Sequence, residues 1–73
     1  MEDRIDVDPQ ICSGKPCIRG THIMVSNILG MMAGGKAVSD VLDAYPELTR
    51  EDVEAALEYA TRIIDEKAVI QPR

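Results

Sequence analysis

The sequence predicts a small, mainly helical α+β domain. An N-terminal β-hairpin element over residues 4–24 precedes a three-helix bundle over residues 25–65. Three observations predict it. Ile5 and Val7 alternate with Asp6 and Asp8, the period-two pattern of a half-buried strand. From Val25 the period becomes helical, with Val25, Ile28, Leu29 and Met32 at i, i+3, i+4 and i+7. Thr49 followed by Asp52, framed by Leu48 and Val53, has the form of a capping box with a hydrophobic staple.

Each element follows in order. Pro9 ends the first strand. "SGKP" is a turn in which Gly14 takes positive φ and Pro16 presets the chain beyond it. Cys17-Ile18 and Thr21-His22-Ile23 read as brief strands around a second turn at Arg19-Gly20. The first helix stops at Gly34-Gly35. Val38, Val41, Leu42 and Tyr45 carry a short second helix, with Ser39 as its expected N-cap and Pro46 blocking its continuation. The third helix starts at Thr49 and is expected to run to about Asp65. Its buried stripe is Val53, Ala56, Leu57, Ala60 and Ile64. Arg50–Glu54 and Glu58–Arg62 are expected i, i+4 pairs on its exposed side. The short "PEL" link between the last two helices makes residues 38–64 a helix-turn-helix. Residues 66–73 form a tail.

Composition narrows the function. The 73 residues make one domain. Phe and Trp are absent and Tyr is present twice, so the core is aliphatic and small. Such a core points to a partner or a second copy of the chain, most simply a homodimer. No apolar run approaches a membrane span. The acidic start "MEDRIDVD" lacks a secretory apolar region, so the expected location is cytoplasmic with reduced thiols. The net charge is −5, carried wholly by residues 37–73. That balance opposes a phosphate backbone as partner, although a local basic patch in the front half could still meet one.

The stretch "CSGKPCIRGTHI", residues 12–23, concentrates the chemistry. Cys12, Cys17 and His22 are three candidate metal ligands, but a structural zinc takes four, commonly from closer cysteine pairs, and the fourth would have to be a carboxylate such as Asp8. Both cysteines read better as small apolar residues of the β element. The order Gly-Lys-Pro is wrong for a phosphate loop, whose lysine follows the second glycine and opens a helix. A Cys12–Cys17 disulfide is a minor option in a reducing compartment. His22 has no nucleophile and orienting group at triad-like spacing. No catalytic residue, metal or cofactor is expected, and the chain reads as non-enzymatic.

"GKPCIRGTHI", "VSNILGMMAGG" and "VLDAYPELTREDVEAALEYA" together resemble domain-of-unknown-function family 433, over about residues 5–64. The resemblance implies a homeodomain-like or winged helix-turn-helix fold. It also implies a role like that of VapB antitoxins, bacterial dimers that bind a PIN-like ribonuclease toxin and repress their own operon. His22 stands where the family usually carries Arg, and it cannot make the same two-pronged contact at full charge.

Two functions follow as expectations. In the first, the third helix meets double-stranded DNA, with Thr49 and Arg50 at the groove and Lys15, Arg19, His22 and Lys36 on phosphates. The difficulty is Glu51, Asp52, Glu54 and Glu58 on that helix. In the second, the chain is a protein-binding adaptor without DNA contact, in which Lys67 and Arg73 pair with carboxylates of the partner.

Overall fold

The computed structural model describes residues 4–67. Two short strands, β1 (Ile5–Asp6) and β2 (Cys17–Ile18), precede three helices, α1 (Val25–Ala33), α2 (Val38–Ala44) and α3 (Arg50–Lys67). β1 and β2 are antiparallel, with Ile5 opposite Ile18 and Asp6 opposite Cys17. Cys17 also bridges to Met24, so β2 lies between two other segments of the ribbon. α1 packs on both α2 and α3, α2 packs on α3, and β1 rests against α3.

One aliphatic core joins all of these. It comprises Ile5, Ile18 and Ile23 from the ribbon, Val25 and Ile28 from α1, and Val41 from α2. Leu48 at the corner and Val53, Ala55 and Ala56 from α3 complete it. Leu29, Met31, Met32 and Tyr45 pack around its edge.

The ribbon is shorter than its sequence pattern. Val7 is 55% exposed, because β1 has a partner strand of only two residues. At Asp8 the chain turns instead. The Asp8 carboxylate accepts the Gln10 N–H at 2.8 Å and its carbonyl accepts the Ile11 N–H at 2.9 Å. Residues 21–23 likewise form no strand. The Thr21 hydroxyl donates to the Ile18 carbonyl and accepts the Ile23 N–H, a local closure that competes with a ladder.

α1 ends as its glycines require. Gly35 has φ +99, and the Gly35 and Lys36 amides return to the Met32 and Met31 carbonyls. The α2 start lies two residues earlier than the expected Ser39 cap. Ala37 is the N-cap, and Asp40 accepts the Ala37 N–H at 2.8 Å. A carboxylate reaching back to the chain thus does what a serine cap would have done from the other direction.

The corner between α2 and α3 matches its signature. The Thr49 N–H donates to Asp52 Oδ2 at 2.9 Å, and the Asp52 N–H donates to Thr49 Oγ1 at 3.3 Å. Leu48 and Val53 are both buried, as a staple requires. Asp52 does a second thing that its position in the capping box did not predict. Its other oxygen, Oδ1, accepts Arg4 Nη1 at 2.9 Å, 48 residues away in sequence.

The buried face of α3 is rotated from the expected stripe. Asp52 and Ala55 are buried, whereas Leu57 is 37% and Ile64 64% exposed. The helix also runs two residues past Asp65, to Lys67. The rotation brings Asp52 inward to Arg4 and swings Leu57 and Ile64 outward.

Replacing Asp52 tests this arrangement. Asp52→Ala removes a helix cap and a charged hydrogen bond, and should cost about 2–3 kcal/mol in urea unfolding. Arg4→Ala leaves the capping box intact and acts at a side chain 42% exposed, so it should cost only about 1 kcal/mol. Equal losses would show that the cap contributes nothing.

Candidate functional site

Three surfaces carry chemistry. The first is the ribbon loop. Cys12, Ser13 and Gly14 all have positive φ, at 52, 56 and 83. The turn is closed by the Gly14 and Lys15 amides on the Ile11 and Cys12 carbonyls, both at 3.0 Å. Left-handed Cys and Ser each cost on the order of 1 kcal/mol, so the loop holds its form against a local preference. It walls a pocket of about 360 Å³ with Cys12, Ser13, Lys15, His22 and Met24 around it. Lys15 and His22 are both exposed there.

The expected basic patch is only partly assembled. Lys15 and His22 share the pocket. Arg19 sits at the turn, where Nε and Nη2 both reach Asp6 Oδ1, at 2.9 and 2.8 Å. Its charge is matched within the ribbon, which weakens it as a phosphate contact. Lys36 is exposed just after Gly35, and Arg50 is exposed in the first turn of α3. The Thr49 hydroxyl is occupied by the capping box, so its first role is structural. Arg73 lies outside the described residues, and for Lys67 only its place as the last residue of α3 is described.

The second surface is the pair of thiols. Cys17 is fully buried and Cys12 half-buried, and both are free. The Cys12 thiol donates to the His22 carbonyl at 3.4 Å, and the Cys17 thiol to the Thr21 carbonyl at 3.8 Å. The Cys17 thiol is pushed up from 9.0 to about 11. Burial is the main cause, followed by the neighbouring Cys12 side chain and then by the charges of Asp6 and Asp8. Among the described residues, no three His, Cys, Asp or Glu side chains converge as a metal site would need.

The third surface was missed by the sequence reading. An apolar groove of about 370 Å³ runs between α1 and the C-terminal half of α3. Pro16, Val25 and Leu29 line one side, and Tyr59, Ile63 and Ile64 the other. Arg62 lies over the Tyr59 ring at 5.9 Å and approaches Glu66 at 4.0 Å. A signal for the groove was present. Ile63 and Ile64 are adjacent, and neighbours on a helix point about 100° apart, so one face cannot bury both. Among the described residues, no helix is long and apolar enough to cross a membrane.

The family model described as a protein of unknown function, DUF433, matches residues 5–60. The chain belongs to the DUF433 family. Its match takes in the ribbon, α1, α2, the capped corner and α3 as far as Ala60. A crystal structure of a DUF433 member protein from Anabaena variabilis has the same fold, with a TM-score of 0.81 at 31% identity. That similarity covers 89% of this chain and 64% of the other. The uncharacterized protein y4eO of Sinorhizobium fredii is 36% identical over 52 residues. Those residues are 71% of this chain, which spans 24% of y4eO. This chain therefore matches less than two thirds of either relative.

The buried thiol sets a pH dependence. A raised pKa means that the fold favours the neutral thiol. That contribution is complete below the unfolded value of 9.0 and is lost as pH rises through about 11. Urea midpoints should therefore fall as pH rises from 9.0 through about 11. In Cys17→Ala the same titration should be flatter, and an unchanged slope would remove Cys17 as the cause.

Proposed function

We propose that this chain is a non-enzymatic protein-binding module of the antitoxin type, which docks a basic, RNA-handling protein through the apolar groove and the acidic face of α3. The observation that carries the reading is Ile64, 64% exposed at the rim of an apolar groove. Burying such a side chain against a partner is worth about 1.5–3 kcal/mol. The charge of α3 indicates which partner. Residues 50–67 hold six acidic against three basic side chains. A ribonuclease needs a basic surface to hold RNA, and an acidic helix complements it. A PIN-like ribonuclease is the partner that the family resemblance implies.

DNA contact is a second reading, favoured by one feature. The capped corner leaves the first turn of α3 open, with Arg50 exposed on it and Lys36 exposed at the preceding break. Asp52, counted as repelling DNA in the sequence, is paired with Arg4. Glu51 and Glu54 remain exposed beside Arg50, so a bound duplex would require a second copy of the chain or the partner to supply more cations.

The test is binding to the product of the adjacent gene, with Ile64→Glu as the variant. The substitution should leave the unfolding midpoint within about 0.5 kcal/mol. It should weaken the complex roughly 30-fold or more, the effect of losing an interface anchor. Unchanged affinity would rule out the groove. A chain that sediments as a dimer alone, and as a monomer with Ile64→Glu, would instead assign the groove to a second copy.

For DNA, affinity for the upstream sequence should fall linearly on a log–log salt plot, with a slope of about −0.9 per phosphate contacted. Arg50→Ala should reduce that slope by about one. An absence of binding at low salt, with and without the partner, would eliminate the reading.

A further inference from the structure

We propose that Cys12 and Cys17 form a peroxide-oxidisable dithiol, with Cys12 as the attacking thiol and Cys17 as the resolving one. The proposal is independent of the partner-binding reading and rests on the ribbon alone. Cys12 lines the pocket shared with Ser13, Lys15, His22 and Met24, so a small oxidant reaches its sulfur from solvent. Cys17 is wholly buried, and Cys12 is near enough to help hold its thiol protonated. Their own backbone partners are consecutive carbonyls, Thr21 and His22, which hold both sulfurs at the same place on the ribbon. The left-handed turn at Cys12 and Ser13 carries the chain back toward β2 within five residues. An accessible thiol with a second, buried thiol held at the same place on the ribbon is the arrangement that converts a sulfenic acid into a disulfide.

The chemistry balances with hydrogen peroxide as the oxidant. The Cys12 sulfur attacks one peroxide oxygen. An S–O bond forms and the O–O bond breaks. The departing hydroxide takes the thiol proton and leaves as water. The Cys17 sulfur then attacks the sulfenic sulfur. An S–S bond forms and the S–O bond breaks, and the released hydroxide takes the Cys17 proton as a second water. Two thiols lose two electrons and one peroxide becomes two waters.

Trypsin supplies a direct readout. Lys15 precedes Pro16, which blocks cleavage there, so one tryptic peptide, residues 5–19, carries both cysteines. Folded protein treated with a modest excess of peroxide should yield this peptide lighter by two hydrogens and resistant to alkylation. Dithiothreitol should restore both thiols. Cys17→Ser should stop at a dimedone-trappable sulfenic acid on Cys12, and Cys12→Ser should resist the same treatment. The proposal is overturned if the wild-type peptide keeps two alkylatable thiols, or if oxidation links two chains instead. The wild-type map decides the matter even if the Cys17 variant fails to fold.

Discussion

The fold turns on the Asp52 carboxylate. One oxygen closes the capping box with the Thr49 amide, and the other receives the Arg4 guanidinium. The first contact is local and starts α3. The second ties the beginning of the ribbon to that same helical turn. A nearly buried carboxylate needs both, since an unpaired charge in that position would oppose folding. The pairing joins the residue before β1 to the inward-facing first turn of α3, alongside the packing of Ile5 in the shared core. The exposure of Leu57 and Ile64 and the opening of the groove follow from the rotation of that helix.

The ribbon has a different logic. Its ladder is too short to hold itself, and side chains do much of the work that strand pairing does elsewhere. Thr21 closes one turn, Asp8 another, and Arg19 crosses to Asp6. These bonds absorb polar groups that would otherwise be available to a ligand. Arg19 is the clearest case, because its guanidinium charge is matched inside the element that displays it. Lys15 and His22 are left exposed at this end, at the mouth of a pocket whose wall is a left-handed turn.

The chain also distributes its surfaces unevenly. α1, at nine residues, is half the length of the eighteen-residue α3. Beyond Ala56 the long helix is only half-covered, with Tyr59, Ala60 and Ile63 at the groove and Ile64 at its edge. An aliphatic core without Phe or Trp cannot spread far enough to bury them. The same shortage that makes the domain small leaves it an apolar surface next to an acidic one.

Several features that depend on neighbours in sequence could be read from the sequence. The Thr49–Asp52 box, the Leu48–Val53 staple, the Gly35 helix end and the Gly14 turn are each written within six residues, and each stands as read. The family and the order of the ribbon and three helices were legible for the same reason. Ser39 was expected as the α2 cap, but Ala37 holds that position, because Asp40 reaches back to the Ala37 N–H. What required the tertiary structure was every choice between equivalent partners. Asp52 and Arg4 are 48 residues apart, and no periodicity links them. Arg19 could have met a phosphate or Asp6, and the ribbon register placed Asp6 there. Spacing assigns a residue to a helical face only to within about one position, or 100°. Which of Ile63 and Ile64 faces the solvent was therefore decided by how the ribbon and α1 lean on α3.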